Sequence, residues 1–174
     1  MGDEVFLRNV ISDDGHRLVF DVSRTISHRM GSAGGFTELY DGFINYKMQS
    51  ADLGNLPAPD MSVQMEYLTI VDFFGKDKPN HFPKPAAKNE QLHHVHVFDG
   101  HTDTELNSWL ARAQSRRSSD TLLFYSYFQW NGIHHFYVLE LAEDPEGHSF
   151  QKNELKMAAI IRMAVEYRKR VITG

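Results

Sequence analysis

Residues 121–141 read TLLFYSYFQWNGIHHFYVLEL. Two runs rich in aromatic and β-branched residues, 121–128 and 133–141, lie on either side of the dipeptide Asn131-Gly132. Asn-Gly between two such runs is a strong signal for a β-hairpin, because both residues tolerate the positive φ angles of a type I′ turn. This stretch therefore predicts the two strongest strands of the chain, joined by a tight turn.

Shorter strands are predicted upstream of the hairpin. Residues 92–98 alternate, with Val95 and Val97 on one face of a strand and His94 and His96 on the other. A short strand within 5–11 and a returning strand over 16–22 are separated by the turn sequence SDDG.

Helices are predicted on both sides of these strands from apolar residues at helical spacing. They cover residues 36–48, a segment that opens near Thr102 or Thr104, and a long final segment from Asn153 to about Val171. Residues 23–30 could also be helical, and Gly31, Gly34 and Gly35 interrupt what precedes them. The interpretation of 61–74 stays open between strand and helix, and 75–88, with three prolines, reads as an irregular connection.

The order of these elements predicts an α+β fold: an antiparallel β-sheet with flanking helices and a long C-terminal helix. No internal repeat or linker divides the 174 residues, so we expect a single domain over 1–174.

Composition excludes several classes of protein. The chain has no cysteine, which rules out disulfides, cysteine-ligated metals and a thiolate nucleophile. No apolar run approaches the ~20 residues that cross a bilayer, and the acidic start of the chain is unlike a signal peptide. Phosphate-binding loops, nucleophile elbows and dinucleotide fingerprints are also missing. We therefore expect a cytoplasmic protein without a membrane partner.

The net charge of −5 conceals an asymmetry along the chain. Residues 150–174 carry six basic and two acidic side chains, whereas the remainder of the chain is acidic. A basic C-terminal helix on an acidic body fits either a surface that faces phosphates or an ordinary solvated helix.

Histidine and basic residues near this helix suggest metal-independent RNA cleavage. His148 precedes the helix, and Lys152, Arg162 and Arg168 lie on or beside it. Histidine transfers protons near neutral pH, and cations stabilise the charge that develops on a phosphate. Together they could cut RNA by using its own 2′-hydroxyl as the nucleophile, with no cofactor.

The pair His94 and His96 allows a different interpretation. Two histidines on one strand face can hold a metal if a third ligand is near, and Asp99, His101 and His148 are available. A His-ligated metal hydrolase is therefore an alternative, although hydrogen-bonded or catalytic histidines are the more common case.

Several segments, in the same order along the chain, resemble the YafO-type toxins of bacterial toxin–antitoxin modules, which are placed near the RelE-like toxins. The resemblance is clearest from Asp120 to Arg170 and covers about two-thirds of the chain. The segments that carry it are FINYK at 43–47, FGKD at 74–77, HVH at 94–96, LFY at 123–125, the hairpin, and 148–168 with Met163-Ala164, Tyr167 and Arg168. Residues 48–72 and 99–118 look like insertions.

This resemblance implies a RelE-like fold and a ribosome-dependent endoribonuclease, an mRNA interferase that stops translation. The implied partners are mRNA on the ribosome and a cognate antitoxin protein. The implied catalytic residues are His148 as acid or base, Lys152 and Arg168 for phosphate, His94 and His96 for proton transfer or RNA contact, and Tyr125 as an orienting hydroxyl or stacking ring. Arg162, Tyr167 and Lys156 are further candidates for substrate binding.

Each assignment has a structural alternative. Tyr125 and Tyr167 could simply pack in the core, and Arg168 could pair with an acidic side chain of the body. On the same scaffold, a non-enzymatic inhibitor that binds, for example, a topoisomerase is a second functional hypothesis.

Overall fold

The hairpin forms the centre of a six-stranded sheet. The computed structural model of the chain describes residues 6–30, 34–67 and 71–174. Its strands are β1 (Arg8–Ile11), β2 (Arg17–Val22), β3 (Phe74–Pro79), β4 (His93–Val97), β5 (Leu122–Trp130) and β6 (Ile133–Ala142). Its α-helices are α1 (Arg24–Met30), α2 (Gly34–Asp52), α3 (Met61–Gln64), α4 (Ala86–Asn89), α5 (Asp103–Leu110), α6 (Gly147–Lys152) and α7 (Glu154–Thr173).

The predicted hairpin is confirmed. β5 and β6 pair antiparallel around Asn131 and Gly132, whose φ angles are 52° and 76°. These positive values are the ones that a type I′ turn requires. The α+β class and the long C-terminal helix are confirmed as well.

The sequence predicted an antiparallel sheet, and the sheet is antiparallel except for one parallel pair. Its strand order is β1-β2-β6-β5-β4-β3, and β2 and β6 are the one parallel pair among the five. A parallel pair needs a long crossover connection. The chain supplies it here, because β3, β4, β5 and several helices all lie between β2 and β6 in sequence.

The edge strand β3 was missed: the prediction that 75–88 is an irregular connection was wrong for its first residues. The segment FGKDKP has three charged residues and ends in proline, so it has no apolar alternation. Charges and proline are what edge strands use to avoid pairing with other chains. β3 pairs with β4 on one side, and on its other side the Lys76 N–H donates to the carbonyl oxygen of Arg117 (2.9 Å).

Helices cover both faces of the sheet. On one face, α2 packs Phe36, Tyr40 and Phe43 into a core that includes Phe20 and Phe136. On the other face, α6 and α7 form a second core; its members include Leu122, Phe124, Leu139, Phe150, Met157, Ile160, Ala164 and Tyr167. Because both faces are buried, every residue of β4 is buried, including its histidines.

The remaining helix predictions hold with shifted boundaries. α2 runs beyond the predicted 36–48, and 61–74 contains α3 before β3 begins. Side chains cap α5 and α7: Thr102 accepts a bond from the Glu105 N–H, and Asn153 accepts one from the Lys156 N–H. The short α6 was not predicted separately. Val5 and Gly31 lie outside the described residues.

None of the helices in the described ranges is long and apolar enough to cross a membrane.

Candidate functional site

Three histidines from two elements form a continuous row at one end of β4. The centroids of the His94 and His96 rings are 5.8 Å apart, and those of His96 and His148 are 5.9 Å apart. β4 places His94 and His96 on the face that α6 covers, because side chains two residues apart on a strand share a face. We call His94, His96 and His148 the histidine row.

The outer member of the row is held by a carboxylate. His148 Nδ1 lies 2.6 Å from Asp120 Oδ1, and the His148 backbone N–H donates to the same oxygen at 2.8 Å. This backbone bond is the largest cause of the lowered pKa of Asp120. The His148 side chain is 56% exposed. A carboxylate at Nδ1 orients the imidazole and leaves Nε2 available for a substrate.

The inner members of the row are neutral at pH 7. Burial lowers the pKa of His96 to about 4 and that of His94 to about 3. For His96 the backbone bond to Ser119 opposes this shift, and the neighbouring His148, Lys76 and Lys78 add to it. His94 Nδ1 lies 2.7 Å from Asn80 Oδ1, and His96 Nδ1 lies 2.9 Å from the carbonyl oxygen of Ser119. The row therefore changes from an exposed, carboxylate-bound imidazole to buried, neutral ones.

Two lysines of β3 border the row. Lys78 lies opposite His94 in the β3–β4 register, and cross-strand partners share a face of the sheet. Lys76 is half-buried and Lys78 is exposed. Both can therefore contribute positive charge where a phosphate would approach the histidines. Sequence reasoning missed them because β3 itself was missed.

The histidine pKa values predict that low pH destabilises the fold. In the unfolded chain, histidine titrates near its ordinary 6.5, whereas buried His94 and His96 titrate at about 3 and about 4. Between pH 6.5 and 4 the unfolded chain binds more protons, so the free energy of unfolding should fall as pH falls. Each imidazole contributes at most ~1.4 kcal/mol per pH unit.

Urea unfolding at pH 7, 6 and 5 measures this dependence. The double variant His94→Gln/His96→Gln should show a shallower decline than the parent protein, whatever its absolute stability. An unchanged slope in that variant would contradict the assignment.

Gly147 fixes the start of α6 against the sheet. Its N–H donates to the Asp120 carbonyl oxygen at 2.9 Å, and a Cβ atom at Gly147 would lie 2.3 Å from that oxygen. No side chain fits there without a shift of the backbone. The glycine therefore keeps His148 within reach of Asp120.

We expect Gly147→Ala to destabilise the protein by about 1–3 kcal/mol, as overpacking does, and to displace His148 from Asp120. NMR spectra of the imidazole protons would report the displacement. Gly35→Ala is the matched control, since nothing lies within 4 Å of a Cβ atom at that helical glycine. Spectra that do not change in Gly147→Ala would disprove the positioning role.

The structure does not bring Arg168 to the histidine row. Its guanidinium makes a bidentate ion pair with Glu90, with N–O distances of 2.9–3.2 Å, and Glu90 is 5% exposed. The partner of Arg168, Glu90, lies beside Tyr127, because the Tyr127 N–H donates to the Glu90 carbonyl oxygen. His148 instead lies beside Asp120, which is seven residues before Tyr127 in the chain. An extended strand of that length spans roughly 20 Å. In this structure Arg168 therefore makes the ion pair that the sequence left as its alternative, and a contact of Arg168 with phosphate stays a prediction.

The other basic candidates lie on exposed parts of α6 and α7. Lys152 and Arg162 are exposed. Lys156 is also exposed, and its Nζ lies 5.5 Å from the centroid of the Phe150 ring. Lys152 is on the same short helix as His148, so it is the nearest of the three in sequence to the row. Their roles in binding substrate remain predictions.

Both candidate tyrosines are buried. Tyr167 is 5% exposed and stacks on Tyr137 with ring centroids 4.1 Å apart, in the core under α7. Tyr125 is completely buried, His93 stacks on its ring, and Lys47 Nζ lies 4.5 Å from its centroid. No face of the Tyr125 ring is open to a nucleobase in this structure, which leaves the orienting hydroxyl as its candidate role.

The Tyr125 hydroxyl belongs to a buried polar centre that sequence reasoning missed. Lys47 and Asp77 form an ion pair (2.7 Å) with no exposed side-chain surface. The Tyr125 hydroxyl donates to Asp77 Oδ1 (2.7 Å), and the Tyr46 hydroxyl donates to Asp77 Oδ2 (2.8 Å). We call Lys47, Asp77, Tyr46 and Tyr125 the lysine centre.

Every donor of the Lys47 ammonium has a partner. Besides Asp77, Lys47 donates to the Pro57 carbonyl (2.6 Å) and to the Tyr125 hydroxyl (2.9 Å). Burial lowers the pKa of Lys47, and the negative charge of Asp77 opposes that shift. The centre thereby links α2, β3, β5 and the loop before α3. The four side chains of the centre come from three of the segments that carry the family resemblance, 43–47, 74–77 and 123–125. Their presence in those segments was the available signal in the sequence.

The structure gives no support to a metal site at His94 and His96. Across the described ranges, no group of three or more histidine, aspartate or glutamate side chains is placed to hold a metal ion. Asp99, one of the possible third ligands, instead accepts bonds from the Asp120 N–H and the Thr121 hydroxyl.

One comparison with known proteins assigns the family. The model of a family described as Toxin YafO, type II toxin-antitoxin system, matches residues 45–169, well over half of the chain. This chain belongs to the YafO toxin family. A search of curated proteins and a search of solved structures each returned no match.

The YafO match covers both polar clusters. It begins two residues before Lys47 and contains Asp77, Tyr125 and the whole histidine row. Membership of a type II toxin–antitoxin family also implies a cognate antitoxin as partner.

Proposed function

We propose that this YafO-family toxin is a ribosome-dependent endoribonuclease that cleaves mRNA in the cytoplasm without a metal. The observation that carries the proposal is the contact of exposed His148 with both Asp120 and the neutral His96. General acid–base catalysis needs two proton-transfer groups within about 2.6–3.2 Å of the reacting atoms. Two imidazoles whose centroids are 5.9 Å apart can reach one phosphodiester together.

In the proposed reaction the neutral imidazole of His96 takes the proton from the RNA 2′-hydroxyl. The 2′ oxygen then bonds to the adjacent phosphorus, and the bond from phosphorus to the 5′ oxygen breaks. The imidazole of His148, which enters the step in its protonated form beside the Asp120 carboxylate, gives its proton to the leaving 5′ oxygen. The products are a 2′,3′-cyclic phosphate and a 5′-hydroxyl end, and no oxidant, metal or covalent enzyme intermediate is needed.

Three lysines supply positive charge around this reaction. Lys76 and Lys78 act on the histidines electrostatically, and Lys152 extends from the last turn of α6. Cations at a phosphoryl group stabilise the charge that builds up in the transition state. The ribosome would hold the message in place, so the toxin itself needs few substrate contacts.

The test is translation of a defined mRNA in a purified system with and without ribosomes. We expect fragments with 2′,3′-cyclic phosphate ends only when ribosomes and toxin are both present. Arrested translation with intact mRNA would disprove cleavage and favour the non-enzymatic inhibitor, for which inhibition of a topoisomerase is the next assay.

A further inference from the structure

The basic residues in the middle of the chain gather along one edge of the sheet. Residues 71–149 carry seven basic and eleven acidic side chains, so the segment is acidic as a whole. Its basic residues are Lys76, Lys78, Lys84, Lys88, Arg112, Arg116 and Arg117. Arg117 is buried and donates to backbone carbonyls such as that of Val71 (2.8 Å). The other six lie on β3 or on the segments that adjoin it.

Each pair of these cations has a fixed place relative to β3. Lys76 and Lys78 are on the strand itself. Arg112 and Arg116 lead to Arg117, whose carbonyl accepts the Lys76 N–H, so they lie beside the outer edge of the strand. Lys84 and Lys88 follow β3 and line a cleft of about 810 Å³ that also contains Asp77 and Pro79.

Two exposed aromatic rings accompany the cations. Tyr67, 71% exposed, shares a small groove with Arg112 and Arg116. Phe82 is 67% exposed, and Lys84 Nζ lies 5.1 Å from the centroid of its ring. Large exposed rings beside cations are the combination with which proteins bind single-stranded nucleic acids, since bases stack on the rings and phosphates pair with the cations. We call the six cations with Tyr67 and Phe82 the β3 edge.

The groove also gives a role to the two segments that resemble insertions. Tyr67 belongs to 48–72, and Arg112 and Arg116 belong to 99–118. The structure brings both segments to the same groove, which Met65 and Ala113 also line. Two distant segments therefore build one surface.

We propose that the β3 edge binds the single-stranded mRNA on which the histidine row acts. This inference rests on the proposed function and names the path of its substrate. Lys76 and Lys78 connect the edge to the row, because Lys78 is the cross-strand partner of His94. β3 alone spans roughly 20 Å at 3.3 Å per residue, which is long enough for several phosphates.

The surroundings of the edge favour RNA over an acidic peptide. Asp60 lines the cleft, and the exposed Glu66 and Asp72 lie in sequence beside Tyr67 and β3. Asp77 also lines the cleft but is paired with Lys47, so the three remaining acids face six cations and positive charge is in excess. An acidic peptide would use that charge but would gain little from Tyr67 and Phe82, whereas RNA uses both the cations and the rings.

Binding is measured with a fluorescein-labelled, single-stranded RNA of twelve nucleotides that carries 2′-O-methyl groups, so that cleavage cannot occur. The variant Arg116→Glu/Lys84→Glu should bind at least tenfold more weakly than the parent protein. Its affinity should also depend less on salt, because about 0.7 of a counterion is released for each phosphate contact to a single strand. The control Arg17→Glu/Lys169→Glu makes the same charge change elsewhere and should bind within twofold of the parent.

The aromatic variants separate stacking from charge. Tyr67→Ala/Phe82→Ala should lower the affinity about fivefold or more, since base stacking on an aromatic ring contributes ~1–3 kcal/mol per base. The salt dependence of binding should stay as in the parent.

Equal effects of the edge and control charge variants on RNA affinity would overturn the proposal. So would competition by poly-glutamate as strong as that by unlabelled RNA, which would assign the edge to an acidic protein segment.

Failure of this inference is distinguishable from failure of the proposed function. RNA that binds the β3 edge without being cut on ribosomes would support the surface and disprove the nuclease. Cleavage that persists unchanged in Arg116→Glu/Lys84→Glu and in Tyr67→Ala/Phe82→Ala would support the nuclease and disprove the path.

Discussion

Replacement of His148 by alanine should reduce ribosome-dependent mRNA cleavage about 10²–10⁴-fold, the contribution typical of one general acid or base. The fold should survive, because the side chain is 56% exposed and makes its polar contact to Asp120 at the surface. Loss of an exposed side chain outside the core usually changes stability by less than about 0.5 kcal/mol.

The measurement is the rate of fragment formation from a single mRNA at saturating toxin, with unfolding in urea as the check on structure. His101→Ala is the matched control, since His101 is an exposed histidine outside the row. Cleavage by His148→Ala at the rate of the control would disprove the assignment.

Asp120 supplies a further check on the same site. Asp120→Asn keeps the shape of the side chain but removes the negative charge at His148 Nδ1. If the two residues act as a unit, the double variant His148→Ala/Asp120→Asn should be no slower than His148→Ala alone, because effects within one catalytic unit are not additive. If the rate loss of the double variant equals the product of the two single losses, Asp120 contributes to cleavage independently of His148.

Replacement of Lys47 by methionine should destabilise the protein by about 3–5 kcal/mol, the cost of leaving one member of a buried ion pair alone. The side chains of Lys47 and Asp77 have no exposed surface. Methionine is similar in length, so the packing against Tyr46 and Tyr125 stays largely filled. The loss comes from the carboxylate of Asp77, which keeps its two tyrosine donors but loses its countercharge.

Urea unfolding at pH 7 measures the loss. Lys88→Met, at an exposed lysine, is the control and should change the free energy of unfolding by less than about 0.5 kcal/mol. The double variant Lys47→Met/Asp77→Leu should recover part of the loss, since an apolar pair can replace a buried ion pair. A double variant less stable than Lys47→Met would show that the tyrosine bonds to Asp77, rather than its charge, carry the stability. If Lys47→Met itself is as stable as the control, the ion pair does not contribute to the stability of the fold.

Local patterns predicted the elements whose side chains alternate or repeat in a regular way. Asn131-Gly132 gave the hairpin because turn chemistry depends on those two residues alone. The alternation over 92–98 gave β4 and correctly placed His94 and His96 on one face. It did not reveal that both faces are covered, because burial of a strand depends on helices that pack on it from elsewhere in the chain.

The elements that could not be predicted from the sequence are those whose positions depend on residues far away in the chain. β3 has almost no apolar pattern, and its position depends on β4 and on the carbonyl of Arg117. The lysine centre joins residues from three separate segments, and nothing in the spacing of Lys47 and Asp77 indicates that they touch. The same limit applies to Arg168: its place in a basic helix suggested phosphate, whereas Glu90, from the turn before β4, is its partner.

The parallel pairing of β2 with β6 has a consequence for how the chain is made. It joins Arg17 to Ile133, so the first third of the chain depends on a strand from the last third. Contacts this far apart in sequence slow folding, and a protein synthesised from its N-terminus cannot form them until most of the chain has left the ribosome. Until then, the edge of β2 that pairs with β6 has no partner strand. The sheet, and with it the row that ends at His148, is therefore assembled only after β6 has been synthesised.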